Sequence, residues 1–177
     1  MAIREFISEK SKILLRRLHK KTKITLSDYL KENLISFFSF SSRDEALFHL
    51  VSLLKQNHFI PSEELFFQAI LEREKIVSTG IGMGVAIPHA KMKEVTDFCL
   101  AIGIQKDKGL EWDALDAAPV KLVFMIGGPE NRQTDYLNLL SQITNIIKDE
   151  NIRKNLLQQT SKGKVFKLLN SSFSYEK

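Results

Sequence analysis

Residues 78–91 read STGIGMGVAIPHAK, with Gly80, Gly82 and Gly84 at alternate positions and a short apolar run ending in Pro88 and His89. A neutral imidazole is a nucleophile or general base without help from a second group, and at a reference pKa of ~6.5 roughly three-quarters of it is neutral at pH 7. Strand alternation places His89 on a face with Val85 and Ile87, where a hydrogen-bonded core histidine is the ordinary outcome. Pro88 speaks against an ordinary interior strand, because it lacks one ladder donor and suits a strand edge or end. The glycines allow backbone N–H groups to approach a ligand closely, as in anion-binding concavities. Their G-x-G-x-G spacing matches neither the Walker phosphate loop nor the dinucleotide fingerprint.

Other chemistries are disfavoured. No second His or Cys lies at ligand spacing from His89, so no metal is expected. Cys99 sits in an apolar run and no G-x-S-x-G elbow exists, which disfavours a serine or cysteine nucleophile. The other histidines have ordinary accounts. His19 lies in a basic segment, His49 falls opposite an apolar helix face and reads as exposed, and His58 follows a helix end where it suits the last carbonyls. His89 as nucleophile or general base beside an anion is what remains.

The elements that must position it follow from periodicity. Residues 34–40, LISFFSF, read as a strand. Ser42 with Glu45 forms a capping box ahead of a helix whose apolar face is Leu47, Leu50, Val51 and Leu54. Ser62 opens a second helix with Leu65, Phe66, Ala69 and Ile70 on one side. VAIPHA, FCLAIGIQ and VKLVFMIG read as strands buried on both faces. Gly109 and the Ala117, Ala118, Pro119 break mark connections between them, and QTDYLNLLSQITNIIKD, ENIRKNLLQQT and SKGKVFKLLNSS read as helices. The expected class is α/β, a mixed sheet sandwiched between helices.

Composition sets the frame. The chain has 177 residues, 44% of them hydrophobic, and one cysteine. That fits one ordinary domain in a reducing compartment, so a cytoplasmic location is expected. No apolar run approaches the ~20 residues of a membrane span, and the N-terminus lacks the apolar stretch of a signal peptide. Residues 1–23 hold eight Lys/Arg and two Asp/Glu, a net of +6 that leaves −1 for the rest. The high pI therefore belongs to a basic amphipathic extension, residues 1–22, in which Ile3, Phe6, Ile7, Leu14 and Leu18 fall near helical spacing. It reads as a solvated helix, or as an arm for a partner or an anionic surface. Residues 23–177 form the domain.

The segment REKIVSTGIGMGVAIPHAK (73–91) resembles the active-site signature of the type-2 enzyme IIA domains of the phosphoenolpyruvate-dependent phosphotransferase system, the fructose, mannitol and nitrogen-related class. The resemblance runs from Ile24 to the C-terminus and includes FFQAILEREK and WDALDAAPVKLVFMI. It implies a three-layer α/β/α fold with no cofactor, His89 as phosphoacceptor and Arg73 as its charge partner. Backbone N–H groups around Gly80, Gly82 and Gly84, with the hydroxyls of Ser78 and Thr79, are further candidates for the phosphoryl oxygens. The family usually carries a second histidine, in an H-L step, at the start of the helix after the last strand. Here Tyr136 precedes Leu137. An IIA domain without an attached permease is similar to the nitrogen-related regulatory members, which take phosphate from an HPr-like carrier and bind target proteins by phosphorylation state. The alternatives are a sugar-specific IIA that serves a separate IIB and, from another class, a binding module that never turns over phosphate.

Overall fold

The computed structural model describes residues 24–174; the basic extension lies outside the described residues. The elements are, in order, α1 (Leu26–Tyr29), a 3-10 turn (Glu32–Leu34), β1 (Ile35–Phe38), α2 (Arg43–Gln56), α3 (Glu63–Ile76), β2 (Gly80–Gly82), β3 (Val85–Ala86), β4 (His89–Met92), β5 (Cys99–Gln105), β6 (Leu122–Pro129), α4 (Gln133–Lys148), α5 (Glu150–Gln158) and α6 (Lys162–Ser174). Six strands form one mixed sheet in the order β1-β5-β6-β3-β2, with β4 also on β6. β1 runs parallel to β5, β5 antiparallel to β6, and β3 and β4 parallel to β6.

Alternation along the central strands builds both outer layers. Leu100, Ile102 and Ile104 of β5 and Leu122, Phe124 and Ile126 of β6 pack against α4, α5 and α6. Cys99, Ala101, Val123 and Met125 face α2 and α3. Each fully buried aliphatic side chain is worth about 1.5–3 kcal/mol. The α2–α3 face of β5 carries small residues because side chains from that layer press onto the sheet. A Cβ on Gly103 would stand 3.3 Å from Leu50 Cδ1 of α2, and one on Gly127 of β6 3.0 Å from the Phe66 ring of α3. Burial there pushes the Cys99 thiol up to about 12.

The helix starts follow the capping signals. Ser42 Oγ accepts from the Glu45 N–H while Glu45 accepts from the Ser42 N–H, and Ser62 Oγ accepts from the Leu65 N–H. Two expectations are corrected. Leu65 is 58% exposed, because α3 turns Phe66, Ile70 and Glu74 inward at i, i+4 spacing. His49 is half-buried: its Nε2 lies 2.7 Å from the Ser36 hydroxyl, with the Phe38 and Phe40 rings against it. His58, exposed beyond α2, adopts a left-handed φ of 62° and donates its N–H to the Lys55 carbonyl.

The VAIPHA run is broken rather than continuous. β3 and β4 are two collinear pieces on β6, split at Ile87 and Pro88. The Ile126 N–H bonds the Pro88 carbonyl, so Pro88 joins the ladder through the one group it can offer. Beyond the break β2 no longer covers the outer edge, and β4 has a strand neighbour on one side only. His89 opens that free edge.

Candidate functional site

α3 delivers two charged side chains from its last turns in different directions. Arg73 turns toward the β4 edge, where its Nε–H donates to His89 Nε2 at 2.9 Å and its Nη1 donates to the Val77 carbonyl at 2.9 Å. Its Nη2 has no partner among the described residues. An arginine only donates. His89 Nε2 is therefore the unprotonated nitrogen, and Nδ1 carries the proton it gives to the Ile87 carbonyl at 2.7 Å. Burial lowers the His89 pKa; the Ile87 carbonyl opposes that shift, Arg73 and Lys91 reinforce it and Glu74 opposes it. The result is a neutral imidazole with a fixed tautomer and its lone pair aimed at a guanidinium.

Glu74, one residue on, turns into the protein. Its Oε1 accepts from the Thr79 N–H (2.8 Å), the Trp112 Nε1–H (2.9 Å) and the Ser78 hydroxyl (3.3 Å), and its Oε2 from the Thr79 hydroxyl (2.5 Å). Glu74, Thr79 and Trp112 are all buried. The Ser78 hydroxyl also donates to the Trp112 carbonyl at 2.6 Å. These hydroxyls are spent on the α3–β2 connection.

The glycine run makes a tight β2–β3 turn, with positive φ at Gly82 (89°), Met83 (58°) and Gly84 (72°). It closes on the 112–118 loop. The Met83 N–H donates to Asp116 Oδ2 at 2.7 Å, and a Cβ on Gly82 would stand 3.0 Å from that oxygen. The backbone N–H groups of Met83 and Ala118 hold the Asp116 carboxyl below its usual range.

An open cleft of about 690 Å³ lies in front of His89, lined in part by Arg73, Ile76, Lys91, Glu130 and Tyr136. Of the sequence-derived candidates, the structure brings His89, Arg73 and Tyr136 together. Ser78, Thr79, Gly80, Gly82 and Gly84 are absent from its walls. Glu74 and the 112–118 loop hold Ser78, Thr79, Gly80 and Gly82, and the Gly84 carbonyl accepts from the Lys121 and Leu122 N–H groups.

Tyr136 stands in the first turn of α4 with its ring edge-on to His89, centroids 5.5 Å apart. Arg132 fixes that helix start: it donates to Asp97 at 2.7 Å and Asp135 at 2.9 Å and lies over the Phe98 ring. Burial raises the Tyr136 pKa, so the phenol stays neutral, and its hydroxyl has no partner among the described residues. Lys91 was not singled out from sequence. Its Nζ lies 5.3 Å from the Tyr136 ring centroid and donates to Gln133 Oε1. The signal that could have found it is the i, i+2 alternation from His89, which puts both side chains on one face of β4.

A neutral nucleophile, a guanidinium with an unengaged edge, a second cation and open access suit attack on an electrophile that carries several anionic oxygens. Among the described residues no group of His, Cys, Asp and Glu could hold a metal ion, and no helix is long and apolar enough to cross a membrane.

The family model for the "Phosphoenolpyruvate-dependent sugar phosphotransferase system, EIIA 2" matches residues 28–172. A PTS system fructose-specific EIIABC component of Bacillus subtilis is 33% identical over 85% of this chain, which corresponds to only 23% of that longer protein. A nitrogen regulatory protein homolog of Haemophilus influenzae is 31% identical over 77% of this chain and 85% of its own length. Among solved structures, nitrogen regulatory protein IIA-Ntr from Neisseria meningitidis superposes with a TM-score of 0.76 at 28% identity, covering 81% of this chain and 98% of that one. The three-layer fold is thus of a recognised type, and the chain belongs to the EIIA 2 family of the phosphoenolpyruvate-dependent sugar phosphotransferase system.

Proposed function

We propose that the chain is a cytoplasmic phosphocarrier that accepts a phosphoryl group on His89 Nε2 from the phosphohistidine of an HPr-like protein. The observation that carries this is the 2.9 Å contact between Arg73 Nε–H and His89 Nε2 at the mouth of the cleft, with Nδ1–H bonded to the Ile87 carbonyl. That contact fixes which nitrogen attacks. The Nε2 lone pair forms the new N–P bond as the donor's N–P bond breaks, and that electron pair returns to the donor imidazole. His89 keeps its Nδ1 proton, and the Ile87 carbonyl stabilises the positive charge that develops on the ring. Arg73 gives up Nε2 and turns its fork to the phosphoryl oxygens, which are the groups that need compensation. Residues 23–177 are the phosphotransfer unit, and residues 1–22 contact a partner or an anionic surface.

The output is regulatory. Phosphorylation state then sets which target protein the site face binds. Relatives named as nitrogen regulatory proteins that cover most of both chains support this. A second reading, donation to a sugar-specific IIB, has support from a fructose-specific EIIA component of Haloferax volcanii, 33% identical over 71% of this chain. The test is incubation with phosphoenolpyruvate, enzyme I and an HPr-like carrier, followed by intact mass. One acid-labile, alkali-stable phosphoryl group, absent from His89→Ala, is expected. No adduct on the wild type would leave a binding module instead. Rapid draining of the label by a fructose-type IIB would favour the second reading.

A further inference from the structure

Phosphoryl transfer spreads charge over three equatorial oxygens, and a single guanidinium covers one side of them. Arg73 approaches from α3 with two of its nitrogens already engaged by His89 and Val77. On the opposite wall stands Tyr136, whose phenol burial keeps neutral. It supplies no charge. The cleft lining also includes the Glu130 carboxylate and Glu72, paired with Lys75 at 2.6 Å, so covering the oxygens that Arg73 does not reach calls for a second cation.

Lys91 is that cation. It lies two residues after His89 on β4, therefore on the same face of the strand, and it lines the cleft. The way it is held is informative. Lys75 and Arg132, on neighbouring elements, are each neutralised by a carboxylate within salt-bridge distance. Lys91 has no such partner among the described residues. Its ammonium rests on a neutral amide, Gln133 Oε1, and on the face of the Tyr136 ring. Both contacts hold the group without cancelling its charge, and an amide is readily exchanged for a phosphoryl oxygen. The four-carbon stem gives Nζ the reach to make that exchange.

We propose that Lys91 is a second phosphoryl-binding residue. Its Nζ leaves Gln133 for an oxygen of the His89-bound phosphoryl group, on the side away from Arg73, and Tyr136 and Gln133 form its resting place in the unphosphorylated protein. This rests on the reading of His89 as acceptor.

The experiment compares wild type, Lys91→Met, Lys91→Arg and Gln133→Ala in the full chain. It reads the rate of phosphorylation by phosphoenolpyruvate, enzyme I and an HPr-like carrier, the lifetime of the purified phosphohistidine, its phosphorus NMR resonance and Tm. Lys91→Met should slow acceptance on the order of tenfold or more, as expected for loss of a charge-assisted hydrogen bond, and should also shift the phosphohistidine lifetime and resonance with Tm unchanged. Lys91→Arg should recover most of the rate, and Gln133→Ala should cost little of it. If the wild type takes no phosphate, the reading of His89 falls and this inference with it. If the wild type is phosphorylated normally and Lys91→Met matches it in rate, lifetime and resonance, Lys91 is overturned alone. A slower rate with unchanged lifetime and resonance would place Lys91 in carrier docking and equally overturn it.

Discussion

Arg73 and Glu74 are neighbours on α3 with opposite fates. Arg73 faces an open cleft, holds His89 by one hydrogen bond and keeps an unengaged amino group. Glu74 is 6% exposed, and each of its oxygens accepts from neighbouring buried donors. One region is left incomplete, as a site that must receive a ligand requires. The other is saturated, as a buried carboxylate requires. Ser78 and Thr79 lie in the same short connection and go to the saturated side. The two regions touch through Val77, whose carbonyl straps Arg73 while its chain neighbours are pinned by Glu74.

If the two regions divide stability from chemistry, substitutions should separate them. Glu74→Ala should produce the largest effect. It strands the buried Thr79 N–H and hydroxyl proton, at roughly 1–3 kcal/mol each, and leaves Trp112 Nε1–H only its longer contact with Thr79 Oγ1; Tm should fall by roughly 5–15 °C at about 2–4 °C per kcal/mol for a domain of this size. Thermal unfolding checks this. Its phosphorylation rate, measured well below Tm, should drop less than that of Arg73→Ala; the reverse order would break the comparison.

Arg73→Ala should come next, with Tm near wild type and acceptance slower by on the order of tenfold to a hundredfold, since a charge-assisted donor worth ~1.5–3 kcal/mol is lost. Arg73→Lys should recover little, because a lysine lacks the fork that bonds Nε2 and the Val77 carbonyl together. Stopped-flow or quench kinetics would read both. A large Tm loss in Arg73→Ala would move Arg73 to the structural side.

The pH dependence should be a milder effect. Burial holds the His89 pKa below its ordinary ~6.5, so acceptance should rise with pH along an acid limb centred below that value and be flat above it. Removing Arg73 or Lys91, which both depress the pKa, should move the limb toward higher pH. The sign for stability is the same: between the folded and unfolded pKa values the unfolded chain binds more protons, so stability increases with pH there. That stabilisation is complete above ~6.5 and lost as pH falls through the folded value. Half-buried His49, also depressed by burial and by Lys162, adds to this loss, whereas only His89 should shape the rate profile.

The smallest change belongs to Tyr136→Phe. With no partner for its hydroxyl among the described residues, the cost should not exceed ~0.5–1.5 kcal/mol in the transfer barrier. Tyr136→His places a second titrating ring beside His89 and should add a second ionisation to the profile. Coincident profiles for wild type and Tyr136→His would put this side chain outside the chemistry.

Much of the scaffold was legible in local pattern. Ser42, Glu45 and Ser62 announced their helix starts, and the near-continuous apolar runs FCLAIGIQ and VKLVFMIG read as strands buried on both faces. The approach of Arg73 to His89 was legible only through the family resemblance, since nothing in a helix-terminal arginine states where it reaches. The fates of Ser78, Thr79 and Gly82 were not legible. Glu74 holds Ser78 and Thr79 from the end of the helix before them, but it turns inward to Trp112, and Gly82 meets Asp116, both more than thirty residues away in the chain; a partner choice made by tertiary packing leaves no local period. Lys91 escaped notice for a related reason: a lysine near a strand end reads as a solvated charge until the wall it leans on is known.

Trp112 is the one tryptophan of the chain, sealed at 2% exposure with its indole N–H on the Glu74 carboxylate. The molecule therefore carries its own optical reporter, a single emitter shielded from aqueous quenchers and hydrogen-bonded to the residue next to Arg73. On the proposed mechanism Arg73 leaves His89 for a phosphoryl group, and a pull relayed through Val77 and Ser78 would then register as a change in the colour or lifetime of that emission, a label-free signal to look for on phosphorylation.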